Sequence, residues 1–158
     1  IPERFIEISP ARPSAMLVDA NRLGQKNGLG YYGYQTDERG RAAKAPDPWV
    51  IQAFEAQFGT TGPFNEREIV IRVLLPMGME MARCLEEGIV GSPTEADMAL
   101  IYGLGFPSFR GGICRWMDEI GLAEICALGD QYSHISPLYQ PTARMRAMAA
   151  KGETFYSS

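Results

Sequence analysis

A single histidine, His134, and three cysteines, Cys84, Cys114 and Cys126, leave this 158-residue chain poor in metal and nucleophile chemistry. A zinc site needs about four Cys or His ligands at close spacing, and no such set exists here. The cysteines are odd in number and far apart. They read as buried thiols of a reducing compartment, which points to the cytoplasm rather than to a disulfide framework. No G-x-S-x-G elbow is present, and a Ser-His-acid arrangement would have to use His134 in HISPLY. A lone histidine between helices reads as a satisfied hydrogen-bonding group. No run of about 18 apolar residues occurs, so nothing is expected to span a membrane. No signal-peptide pattern follows Ile1, and IPERFIEISP reads as cut from something longer. A net charge of −4 and a pI near 5.1 argue against nucleic acid or an anionic membrane as main partner. Adjacent acids, Glu86-Glu87 and Asp118-Glu119, would point about 100° apart on a helix and read as solvated faces. Asp97, in EADMAL, could cap or pair, but the solvated reading is the stronger one there too.

What is there is helical grammar. The length suits one domain or one and a half, and such a chain buries roughly 70 % of its unfolded surface without staples. Residues 1 to 12 show no period and read as an arm. Met16, Leu17, Ala20 and Leu23 are spaced for a helix over 14–23, ended by Gly24 or Gly28. Tyr31, Tyr32 and Tyr34 have strand character, Asp37 to Gly40 form a turn, and 35–47 reads as a polar exposed excursion. Asp47 and Pro48 open a helix with Val50, Ile51, Phe54 and Phe58 on one face, ended over Gly59 to Gly62. Asn65 with Glu68 forms a capping box for a long helix. Its stripe is Val70, Val73, Leu74, Met77, Met81, Cys84 and Leu85, with Arg72, Glu80, Arg83 and Glu87 opposite. Pro76 should bend that helix, and Gly88 should stop it. SPTE at 92–95 repeats the start signal with Ser92 as cap. Short helices are predicted at 113–120, carrying Trp116, at 122–132 and at 141–151. The fold class is all-α, with at most a short β-hairpin near residues 31–41.

One segment interrupts this pattern. Residues 102–112, YGLGFPSFRGG, combine four glycines and a proline with three aromatic rings. A surface linker would be polar. Glycines let the backbone leave a helix and approach a partner, and Pro107 stiffens the bend. This composition fits a loop that packs or binds something.

Two further patterns are present. KNGLGYYGY at 26–34 echoes AKGETFYSS at 150–158: Gly28 matches Gly152, and Tyr31-Tyr32 match Phe155-Tyr156, at an offset of 124. Each is expected to follow a helix with a basic residue in its last turn. The echo implies the tail of one repeat followed by a second. GLGYYG at 28–33 also fits G-x-G-x-x-G, with Asp47 downstream. A dinucleotide fingerprint needs a strand before it and a helix after it. Here a helix precedes and an aromatic strand follows, so nucleotide binding is rejected at this spot.

NRLGQKNGLGYYGY, followed by RCLEEGIVGSPTEADMALIYGLGFPSFRGG, resembles the C-terminal part of 3-hydroxyacyl-CoA dehydrogenases. Within that family the likeness is to α-subunits of the bacterial fatty acid β-oxidation multienzyme complex. The resemblance starts near residue 14. It implies that 1–34 is the tail end of a first helical repeat, 35–64 an excursion and connecting helix, and 65–158 a second, complete repeat. It also implies an enoyl-CoA hydratase domain and a Rossmann domain in the same polypeptide, a thiolase β-subunit as partner, and NAD bound outside this chain. No position here matches the family's catalytic His-Glu pair or its NAD-binding glycines, so catalytic, cofactor and metal residues are expected to be absent. The isolated piece is expected to be inactive. By resemblance Tyr102, before GLGFP, is the substrate-contacting position. Its ring and hydroxyl suit an acyl-CoA, and they equally suit a core ring with a bonded hydroxyl. Phe106, Phe109 and Trp116 read as core. SFRGG departs from the G-P pair of the first-copy pattern, and Arg110 is expected to meet Asp118 rather than a CoA phosphate.

Overall fold

The computed structural model describes residues 13–36, 38–40, 42–59, 62–63 and 65–156. The expected arm at 1–12, Asp37 of the turn, and Ser157-Ser158 of the echo lie outside the described residues. The chain divides into two compact units at residues 63/64.

The N-terminal unit holds α1 (Pro13–Asp19), a hairpin of β1 (Tyr32–Thr36) and β2 (Ala42–Pro46), and α2 (Pro48–Phe58). α1 ends four residues short of the expected Leu23. Asn21 takes φ 54°, the left-handed conformation expected at a helix stop, and the Arg22 amide closes back on the Leu17 carbonyl. Lys26 therefore lies in a turn and not in a helix, unlike Lys151 at the other echo site. β1 and β2 pair antiparallel, Tyr32 opposite Pro46 and Thr36 opposite Ala42. The second strand falls inside the stretch expected to be an excursion. Its AAKAP sequence lacks the branched and aromatic residues that mark strands, and pairing with the tyrosine strand supplies what propensity does not. Asp47 caps α2, its side chain accepting from the Trp49 amide at 2.9 Å. Arg22 knits the unit together. Its Nε donates to the Gly30 carbonyl at 3.0 Å, its guanidinium pairs with Asp47, and it lies 4.7 Å from the Trp49 ring centre. That guanidinium holds the Asp47 carboxyl below the usual carboxylate range.

The C-terminal unit is helical: α3 (Glu66–Glu86), α4 (Pro93–Leu104), α5 (Ile113–Ile120), α6 (Leu122–Tyr132) and α7 (Ala143–Lys151). α7 begins two residues later than expected, with Thr142 as its cap. Both predicted capping side chains are in place: Asn65 accepts from the Glu68 amide, and Ser92 from the Glu95 amide. α3 passes through Pro76 without a break and packs on α4, α5, α6 and the short turn Pro137–Tyr139. Its fully buried residues are Ile71, Leu75, Gly78, Met79 and Ala82, while Leu74, Met77, Met81 and Leu85 of the predicted stripe are half-buried at the edge of that core. Val73, placed in that stripe, is 61 % exposed. Small residues explain the shift. A Cβ on Gly78 would come within 2.8 Å of the Met117 sulfur, so the closest helix contacts are made by residues that a count of large apolar side chains ignores. Arg83, expected on the far side, donates to the Gln140 carbonyl at 2.7 Å. The core is closed by Ile113, Cys114, Trp116, Met117, Ile125 and Met145. Cys114 and Cys126 are buried as expected, whereas Cys84 is only half-buried. Arg146 forks onto Asp130 at 2.9 and 2.6 Å, joining α7 to α6 and holding the Asp130 carboxyl below its ordinary range. No described helix is long and apolar enough to cross a membrane.

Candidate functional site

The loop between α4 and α5 has an inner and an outer side. At its start Gly105 takes the left-handed conformation that ends α4, and the Phe106 amide closes on the Leu100 carbonyl. Phe106 then turns into the core, 6 % exposed. Trp116, on α5, is buried as well. Phe109, expected beside them, is not: it is 84 % exposed, on a 3₁₀ turn over Ser108–Arg110. Tyr102 is 80 % exposed and Leu104 73 %. Of the two readings of Tyr102, the core ring is thereby removed. A ring that solvated gains little by folding, so folding does not account for its presence.

At the loop's end the structure assembles a polar center that the sequence reading missed. α5 opens at Gly112, which has no side chain to cap it. The cap comes from another helix. Asp97 of α4, 2 % exposed, accepts from the Cys114 amide at 2.8 Å and the Arg115 amide at 3.2 Å. A carboxylate at a helix start gains both charge-assisted bonds and the favorable end of the helix dipole. Gly112 is required for this. Its φ of 115° lies in the region that favors glycine, and a Cβ there would sit 2.1 Å from the Asp97 Cγ. The third donor to Asp97 is the Tyr156 hydroxyl, at 2.8 Å. Asp97 is thus neither solvated nor one half of an ion pair. The available signal was an acid inside an apolar helix together with a Gly-Gly pair opening a helix that has no cap of its own.

Asp118 corrects a second expectation. Its two oxygens accept from the Phe155 amide at 2.8 Å and the Tyr156 amide at 3.0 Å, so it anchors the tail rather than Arg110. Arg110 instead lies 5.4 Å from the Phe109 ring centre, between two open clefts of about 460 and 550 Å³. Arg115 lies 3.6 Å from the Tyr156 ring centre. Burial, with Asp97 beside it, pushes the Tyr156 hydroxyl up to about 12, opposed by the Thr94 hydroxyl. Burial and then Asp97 push the Cys114 thiol up as well, which makes it an inert core group and no nucleophile. His134 is exposed, its Nδ1 2.9 Å from the Gln131 carbonyl. Among the described residues no group of three or more His, Cys, Asp or Glu could hold a metal. GLGYYG runs into strand β1, and the step that would have to open a helix opens a hairpin. The described residues therefore do not fit a dinucleotide.

Comparison with known proteins bears on this arrangement. Over 140 residues the chain is 49 % identical to the fatty acid oxidation complex subunit alpha of Pseudomonas syringae pv. syringae (strain B728a), covering 89 % of this chain and 19 % of that protein. It is 48 % identical, over the same shares, to the subunit of that name from Pseudomonas savastanoi pv. phaseolicola (strain 1448A / Race 6). The chain thus spans about one fifth of the length of these relatives. The crystal structure of the dehydrogenase part of multifunctional enzyme 1 from C. elegans superposes with a TM-score of 0.60, at 23 % identity, over 92 % of this chain and 34 % of that one. That likeness carries the fold. Residues 69–156, from the second turn of α3 to the tyrosine on Asp97, match the model for the 3-hydroxyacyl-CoA dehydrogenase C-terminal domain, and the chain belongs to that family.

Proposed function

We propose that this chain is the C-terminal helical part of an NAD-dependent 3-hydroxyacyl-CoA dehydrogenase, within a multifunctional α-subunit of fatty acid β-oxidation in the cytoplasm. The hydride chemistry and the NAD site belong to a Rossmann domain elsewhere in the polypeptide, beside a hydratase domain. The piece alone is inactive. Its own contribution is to complete the acyl-CoA site with Tyr102. The observation that carries this reading is the solvent-facing Tyr102 in the last turn of α4, beside a loop whose inner side is fixed by Phe106 and Asp97. A rigid base with an exposed aromatic rim suits recognition, since little ordering entropy is lost on binding. The echo supports a duplicated helical unit, with 1–34 ending the first copy, 35–64 connecting, and 65–158 forming the second. Gly28 and Gly152 both take positive φ, 80° and 67°, three residues before their aromatic pairs. The test is Tyr102→Ala in the full-length enzyme. We expect KM for a 3-hydroxyacyl-CoA to rise about tenfold, with unfolding unchanged. An unchanged KM removes Tyr102 from the site.

A second reading is a scaffold that docks the thiolase β-subunit. It is favored by Ile69 and Val73, one turn apart on α3 and 50 % and 61 % exposed. Val73→Asp should then weaken assembly of the α-subunit with the β-subunit in sedimentation velocity. Unchanged assembly argues against that face.

A further inference from the structure

Tyr156 lies in a segment with neither helix nor strand, yet it is held from three directions. Its hydroxyl reaches the buried Asp97 at 2.8 Å, its amide donates to Asp118 at 3.0 Å, and the Arg115 guanidinium covers its ring at 3.6 Å. A side chain needed only as apolar filler would be phenylalanine, as at the neighboring position 155. A hydroxyl aimed at a carboxylate that already caps a helix does something else. Asp97 has four lone-pair positions, and amides use two of them. The third donor binds Oδ2, the same oxygen that accepts from the Arg115 amide at the start of α5. That start is also the end of the 105–112 loop. The loop's near end is fixed independently, by Gly105 and the buried Phe106. Between the two anchors stand the exposed Phe109 and the half-buried Arg110, and the exposed Tyr102 lies in the last turn of α4, just before the loop.

We propose that Tyr156 is a positioning residue: its hydroxyl bond to Asp97 latches the far end of the α4–α5 loop and so fixes Phe109 and Arg110 relative to Tyr102. The latch joins three stretches distant in sequence, at 97, 114–115 and 156, through one carboxylate. Its bearing on substrate rests on the role proposed above for Tyr102, whereas its mechanical part does not.

The test uses the full-length polypeptide with Tyr156→Phe, which keeps the ring and removes only the hydroxyl. Hydrogen exchange read by mass spectrometry should show amides of 106–115 exchanging about tenfold faster, with α6 and α7 unchanged. KM for a 3-hydroxyacyl-CoA should rise about threefold to fivefold while kcat stays within about twofold. Unchanged exchange overturns the latch, and so does acceleration spread evenly over α3 to α7, which would mean that the hydroxyl merely supports the domain. Should Tyr156→Phe fail to accumulate as folded protein, Arg115→Gln carries the measurement, since it unstacks the ring without removing the hydroxyl. A smaller acceleration confined to the same loop supports the latch, and an even one overturns it. The two readings separate cleanly. Loop-confined exchange with unchanged KM in both Tyr156→Phe and Tyr102→Ala keeps the latch and removes the substrate role. A raised KM in Tyr102→Ala with no effect of Tyr156→Phe on exchange does the reverse.

Discussion

Phe106 and Phe109 are three residues apart in one loop and chemically identical, but one is 6 % and the other 84 % exposed. The inner side of the loop is over-determined. Phe106 fills the core, Gly105 ends one helix, and Gly112 leaves room for the acid that starts the next. The outer side has a tyrosine, a leucine and a phenylalanine in solvent, each of which costs something to display. Folding explains the first set and not the second. Gly105 and Gly112 hold the inner side in place, and the rings of Tyr102 and Phe109 are left outside it.

The sharpest way to break this contrast is Gly112→Ala. The new Cβ would overlap the Asp97 side chain, whose Cβ and Cγ lie 2.2 and 2.1 Å away, at a backbone φ of 115°. Either the cap moves or the loop does. We expect a loss of at least about 4 kcal/mol in urea unfolding, or no folded protein at all. An alanine variant within about 1 kcal/mol of the parent would mean that the inner side is not fixed as described.

A gentler probe is alkaline pH. The hydroxyl of Tyr156 titrates near 12 in the folded chain against an ordinary 10.0, because burial and the Asp97 carboxylate disfavor its anion. The folded state therefore holds this proton more tightly than the unfolded one. Its contribution is complete below pH 10 and is lost as the pH climbs through 12. Cys114, shifted in the same direction by burial and then Asp97, begins its loss earlier, near the ordinary thiol value of 9.0. The urea midpoint of the parent should fall from about pH 9 onward. In Tyr156→Phe the fall above pH 10 should be shallower, leaving the thiol part. Identical profiles for the two proteins would place Tyr156 outside the buried network.

Much of the helical frame was legible because its signals are local. Asp47, Asn65 and Ser92 cap the helices assigned to them, and the helix at 122–132 has the expected bounds. The family was legible from long motifs around 84–112, which the match over 69–156 bears out. The candidate site was less legible. Tyr102 could be named, but the choice between core and solvent depends on which neighbors arrive, and periodicity carries no such information. Asp97 and Tyr156 were not legible as partners, since 59 residues separate them and each alone looks ordinary. The center of the α3 stripe was misplaced for a related reason: Leu74, Met77, Met81 and Leu85 pack at the edge of the core rather than in its middle. Gly78 and Ala82 make the tight contacts, and small residues leave no mark on an apolar pattern.

The smallest expected effect is the most telling one for the outer side. Phe109 is 84 % exposed, and the guanidinium of the half-buried Arg110 lies 5.4 Å from its ring centre. An exposed cation–π pair contributes about 0.5–1 kcal/mol, and losing an exposed ring removes almost no buried area. Phe109→Ala should therefore change the unfolding free energy by no more than about 1 kcal/mol. Phe106→Ala, at the buried position of the same loop, should cost about 3–5 kcal/mol. The pair makes a controlled experiment, because residue type, loop and substitution are shared and only burial differs. Equal losses would mean that Phe109 is covered in solution, and the outer side of the loop would then be a second packed face rather than a displayed one.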